Sequence, residues 1–180
     1  MATFSLLLFG VGPLLANTQS SSFVSTASVG SVLQLTVSQN AGSELKFGNI
    51  TPSALGPTLA TPQTITIDVQ SNSGTKYVVT QLVNGSLDNG RGDKIGLENL
   101  QFRTASEKST GAAVSSFTSM TAAASSQTIF TSNDQGDGET IQAEYQLSIP
   151  PSQAPGDYST FITFTVSSLL SASSFFFSYT

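Results

Sequence analysis

Between Glu139 and Val166 the chain reads ETIQAEYQLSIPPSQAPGDYSTFITFTV, and this stretch restricts the possible folds more than any other. Ile141, Ala143, Tyr145, Leu147 and Ile149 alternate with Gln142, Glu144, Gln146 and Ser148. Side chains at period two place one strand face in a core and the other in water. Pro150, Pro151, Pro155 and Gly156 then interrupt the pattern, because proline cannot donate to a ladder and Pro-Gly suits a turn. Tyr158, Ile162, Phe164 and Val166 resume the alternation. The expectation is two antiparallel strands joined by a proline-rich connection.

Similar signals recur along the chain. Leu33, Leu35 and Val37 alternate with polar residues within Val29–Val37, and Glu44–Ile50 reads as a short second strand. Pro52, Pro57 and Pro62 make Thr51–Gln63 a loop or edge crossing. Thr64–Val69 alternates cleanly, and the turn residues Asn72, Ser73 and Gly74 suggest Lys76–Val83 as its hairpin partner. Leu97–Arg103, with Leu100 and Phe102 inward, and Thr128–Thr131 complete the set. Ala112–Ala124 carries Ala, Met and Ser, which would support a short helix. The predicted fold is all-β: an antiparallel immunoglobulin-like or jelly-roll-like sandwich of 7–9 short strands.

Composition narrows the chemistry. The 180 residues include no His and no Cys, which removes Ser-His-Asp triads, thiol nucleophiles, His/Cys zinc sites and disulfides. The eleven acids sit mostly beside glycines in loops, where they would be solvated, so no catalytic residue and no cofactor is expected. Charged residues make up only 9 %, against roughly 25 % in ordinary domains. A net charge of −5 and six scattered basic residues disfavour nucleic acid and a basic membrane-binding face. Residues 1–16 (MATFSLLLFGVGPLLA) resemble a secretory signal peptide without a basic n-region. Residues 17–28 then read as a Ser/Thr-rich linker or N-terminal donor strand, 29–168 as the sandwich, and 169–180 as an apolar C-terminal strand or tail.

Several short motifs invite a functional reading. Arg91-Gly92-Asp93 is the integrin-binding tripeptide, in a turn-rich stretch where Asn, Gly and Asp also serve a surface turn. Asn133, Asp134, Asp137 and Glu139 are weak calcium candidates, lacking the spacing of a helix–loop–helix calcium site; a solvated hairpin loop is the simpler account. Asn49-Ile50-Thr51 and Asn84-Gly85-Ser86 match the glycosylation sequon. Phe130 and Phe161 interrupt otherwise polar faces. In the last segment Phe175, Phe177 and Tyr179 alternate after the main strand has ended, so they need a groove in their own domain or in a neighbour.

Leu45-Lys46-Phe47-Gly48-Asn49, the NSGTKYVVT segment Asn72–Thr80, and the Tyr145–Tyr158 pattern YxLxIPxxQxPGxY followed by ITFTV resemble spore-coat-protein-U-like and related fimbrial sandwich domains. The resemblance spans roughly Val29–Leu169 and rests on sandwich motifs rather than on an active site; TasA-like biofilm-fibre subunits are a neighbouring possibility. The chain departs from chaperone–usher pilins in lacking a cysteine pair and in carrying Ser167 where glycine is usual. The resemblance implies an exported structural subunit of a pilus, fibre or coat. Its partners would be copies of itself or related subunits, with a chaperone possible during export. The residues expected to carry assembly are Val29, Leu33, Leu35, Val37, Phe175, Phe177 and Tyr179. The alternative is a carbohydrate- or host-surface-binding adhesin using Tyr77, Tyr158 or loop residues.

Overall fold

A computed structural model of the chain describes residues 27–39, 45–120 and 125–169. The chain divides after Gly30 into two units, and Ser31–Thr180 contains every strand described. Those strands are β1 (Leu33–Ser38), β2 (Thr58–Leu59), β3 (Gln63–Ser71), β4 (Tyr77–Val83), β5 (Leu87–Asp88) and β6 (Lys94–Ile95). They continue as β7 (Leu100–Ser106), β8 (Gly111–Ala113), β9 (Thr118–Ser119), β10 (Ser126–Ser132), β11 (Glu139–Ile149) and β12 (Ile162–Ser168). A 3-10 turn, Leu97–Asn99, precedes β7. The protein is an all-β antiparallel sandwich, with twelve strands among the described residues where the alternation suggests 7–9.

One sheet runs β1-β3-β11-β7-β9, with β2 added at the end of β11; the other runs β12-β4-β10-β8. All pairings are antiparallel. The order β1-β3-β11-β7 is the A-B-E-D order of an immunoglobulin sheet, and β4 beside β12 repeats its C-F pair. β11 is the axis of the larger sheet. Its odd-numbered residues from Glu139 to Ile149 are all buried, and it pairs with β3 and β7 on its two sides. Ile65, Ile67, Val69, Leu100 and Phe102 join it from one sheet; Tyr77, Val79, Val83, Ile129 and Phe130 face them from the other.

Two strand partnerships differ from the expectation. β3 and β4 are not a hairpin: β3 pairs with β1 and β11, while β4 pairs with β10 and β12 in the opposite sheet. Likewise β11 and β12 do not pair, and the proline-rich connection carries the chain from one sheet to the other. Strand alternation fixes which side chains face inward, and a crossing between sheets preserves that as well as a hairpin does. Residues 45–50 form no strand, although Leu45, Phe47 and Ile50 pack against the core; Gly48, at φ +74°, breaks the extended run.

The short helix near 112–124 is also absent from the described part of that segment, which forms β8 and β9 instead. The reason is the pairing available to the backbone. Phe130, Thr131 and Ser132 of β10 take Ala113, Ala112 and Gly111 as partners, and Gly111 lies so close to the Thr131 carbonyl that a Cβ would collide with it.

Phe130 is fully buried rather than surface-facing, because a bulge shifts the register of β10 between Thr128 and Phe130. Ile129 and Phe130 can then both enter the core, against simple alternation. The bulge leaves the Ile129 carbonyl to accept from Thr104 Oγ1 at 2.8 Å, which ties the two sheets together.

Candidate functional site

The two lateral sides of the sandwich are unlike each other. On the β7/β8 side the chain passes between sheets and closes the gap. Thr104 N donates to Val114 O at 2.7 Å and Val114 N to Thr104 Oγ1 at 2.8 Å across the gap, while Met120 N, bonded to Leu100 O at 3.0 Å, extends the β7–β9 ladder within its own sheet. On the other side β1 of one sheet approaches β12 of the other, and both are edge strands. Their inward side chains, Leu33, Leu35, Ile162, Phe164 and Val166, pack on the core yet stay only half-buried.

The hydrogen-bond phase of β12 is fixed at both ends. Asn84 N donates to Phe161 O, and Leu169 N donates to Lys76 O. In an antiparallel ladder, residues that bond to one neighbour alternate with residues directed to the other. Phe161, Thr163, Thr165, Ser167 and Leu169 therefore bond to the β4 side, while the N–H and C=O groups of Ile162, Phe164, Val166 and Ser168 point outward. No strand among the described residues pairs with that outer edge. It is the position that the last strand, G, takes in an immunoglobulin sheet.

The expected assembly residues fall around this edge in part. Leu33 and Leu35 are half-buried against the core on β1, whereas Val37, at 44 % exposure, is open, and Val29, ahead of β1, is exposed. Leu33–Ser38 is paired along its whole length with β3 of its own chain. Phe175, Phe177 and Tyr179, like residues 1–16, lie outside the described residues.

The calcium candidates do not converge. Among the described residues no group of three or more acids is placed to hold a cation. Asp134 pairs with Lys76 at 3.3 Å, and Asn133 folds over Asp137, donating from Nδ2 to Oδ2 at 2.7 Å. Glu139 is turned inward and fully buried. Its carboxylate accepts from Ser106 Oγ (2.6 Å), Lys108 N (2.8 Å), Thr110 N (3.0 Å), Thr110 Oγ1 (2.7 Å) and Thr140 N (2.9 Å). Burial alone would push this carboxyl up; the hydrogen bonds from Ser106, Lys108 and Thr110 outweigh it and hold the group at about 2.

The two tyrosines suggested for a sugar-binding surface both hydrogen-bond within the fold. Tyr77 is fully buried, and its hydroxyl donates to Asp137 O at 2.9 Å. Burial, followed by the charges of Glu139, Asp137 and Asp68, pushes that hydroxyl up to about 12. Tyr158 OH donates to Ala154 O at 2.7 Å and accepts from Gln153 Nε2 at 2.8 Å. This is the geometry of a tyrosine corner between strands E and F, and it shapes the proline-rich crossing. A groove of about 250 Å³ on the outer face of the larger sheet holds Arg103, bonded to Glu144 Oε2 at 2.6 Å. The Arg103 guanidinium covers one face of Phe117 at 4.7 Å.

A buried polar link between the sheets went unread in the sequence. Tyr145 OH donates to Gln81 Oε1 at 2.7 Å, and Gln81 Nε2 reaches Met120 Sδ at 3.3 Å. The available signal was parity: Gln81 shares its face with Tyr77, Val79 and Val83, as Glu139 does with Ile141. Among the described residues no helix is long and apolar enough to cross a membrane. No family model and no curated protein matches the chain.

Proposed function

We propose that this chain is an exported, non-catalytic structural subunit of a pilus, fibre or surface coat, and that copies join by strand addition at the outer edge of β12. The observation that carries the reading is the contrast between the two sides of the sandwich. One is closed by backbone crossing between the sheets; the other has ladder groups that no described strand pairs, beside half-buried apolar side chains. A strand laid along β12 would take main-chain bonds from Ile162, Phe164 and Val166, while its alternate side chains packed toward the half-buried Leu33 and Leu35. The C-terminal segment, with Phe175, Phe177 and Tyr179 at period two, is the favoured donor, because Leu33–Ser38 is already paired within its own chain. The motif resemblance to fimbrial and coat sandwiches and the low charge agree with this reading. Sugar binding is the weaker alternative, since Tyr77 has no surface to offer.

Hydrogen exchange on monomer and assembled protein tests the proposal. In the monomer, the amides of Thr163, Thr165 and Ser167 should be protected and those of Ile162, Phe164 and Val166 should exchange fast. On assembly the second set should become protected. Protection of both sets in a monomer that never assembles would mean that the edge is filled from within the chain, and strand addition there would be wrong.

A further inference from the structure

The β5–β6 hairpin carries the Arg-Gly-Asp tripeptide at its tip, and we infer that this tip docks a receptor that reads one guanidinium and one carboxylate separated by a glycine, holding the carboxylate through a divalent cation. The base of the hairpin is anchored: Leu87 and Ile95 are buried opposite each other, and Asp88 and Ser159 exchange backbone bonds at 3.0 and 3.1 Å. Lys94 Nζ pairs with Asp88 Oδ2 at 3.4 Å, so these two charges satisfy each other. Arg91, Gly92 and Asp93 are left exposed beyond them.

Within the tip, Asn89 acts as the frame. Its Oδ1 accepts from Arg91 N at 2.9 Å and Asp93 N at 3.1 Å, and its Nδ2 donates to Asp93 Oδ2 at 2.9 Å. Gly90 N donates to Asp88 Oδ1 at 2.6 Å, and Gly92 turns the chain at φ +102°, where a side chain would be strained. Asp93 is therefore held by Asn89 and not by Arg91. The two opposite charges of the tip form no ion pair with each other. Arg91 offers its guanidinium with no bond to any described residue, and Asp93 keeps Oδ1 open. A turn held in shape by its own side chains has little order left to lose on binding, which favours affinity. A partner with an acidic pocket and a cation beside it would match both free groups.

The test uses the full chain on a surface and, as probe, the purified ectodomain of an integrin that binds Arg-Gly-Asp peptides. Capture should require Mn²⁺, be lost in EDTA and be displaced by a cyclic Arg-Gly-Asp peptide. Arg91→Ala and Asp93→Glu should each weaken capture at least ~10-fold, as central interface residues do. Asn89→Ala, which keeps the tripeptide and removes its frame, should weaken it a few-fold. Thermal melting of each variant separates binding from folding, and Arg91→Ala, whose guanidinium bonds to no described residue, decides if Asp93→Glu melts early. No capture in Mn²⁺, capture that survives EDTA, or capture unchanged by Arg91→Ala would each overturn the proposal. Sedimentation of the same variants keeps this result separate from strand addition at β12.

Discussion

Glu139 is the residue on which the loop end of the sandwich depends. It begins β11 on the inward face, and its carboxylate gathers donors from Ser106, Lys108 and Thr110, so it closes the turn between β7 and β8 from below. Its folded-state value near 2 lies under the usual carboxylate range, and this sets the sign of the pH dependence. The stabilisation is complete above the unfolded-state value and is lost as pH falls through about 2. Melting temperature should therefore fall steadily from about pH 4.5 to pH 2. Glu139→Gln should flatten that slope and lower stability at neutral pH by about 2–4 kcal/mol, because a neutral amide leaves charge-assisted donors poorly satisfied. Melting curves of both proteins across pH 2–7 check both parts. The inward parity of Glu139 was visible beside Ile141 and Ala143; its partners, some thirty residues away, were not.

At the scale of elements, strand positions were legible and strand partners were not. β3, β4, β11 and β12 fall close to where alternation predicts them, because one buried face writes its period into the sequence. Whether a turn keeps two strands in one sheet or sends the second across the core depends on the geometry of Asn72–Thr75 and Pro150–Phe161. Both outcomes bury the same residues. The bulge at Ile129–Phe130 and the strands β8 and β9 were equally hidden, since they answer to tertiary pairing rather than to local propensity. The phase of β12 yields a paired prediction that alternation could not. Thr165 donates toward β4, so Thr165→Pro should break the ladder and cost about 1–3 kcal/mol or more. Ser168, exposed at the end of β12, directs its N–H outward, so Ser168→Pro should leave the β4 ladder intact and act chiefly on assembly. Urea unfolding alongside sedimentation distinguishes the two. Equal loss of stability in both variants would mean that the outer edge is already paired within the monomer.

For the whole molecule the question is what completes the sandwich. Val114 closes one side, whereas the outer edge of β12, beside β1, has no partner strand among the described residues, and an uncovered edge of this kind invites uncontrolled pairing. The segment best patterned to cover it is the one carrying Phe175, Phe177 and Tyr179. Burying each ring removes roughly 150–200 Å² from water, about 4 kcal/mol at ~25 cal/mol per Å² before the entropy of ordering the segment is subtracted. If that burial occurs in a neighbouring copy, replacing all three residues with Ser should abolish assembly and leave the melting temperature of the monomer unchanged, since the donor's own core keeps every contact. If it occurs within the same chain, the same change should lower the melting temperature. Sedimentation and circular-dichroism melting of the wild type and the triple variant separate the two cases. Unchanged assembly in the variant would exclude the C-terminal segment as donor and shift the role to residues 20–37, where Val29 and Val37 keep exposed side chains ahead of and along β1.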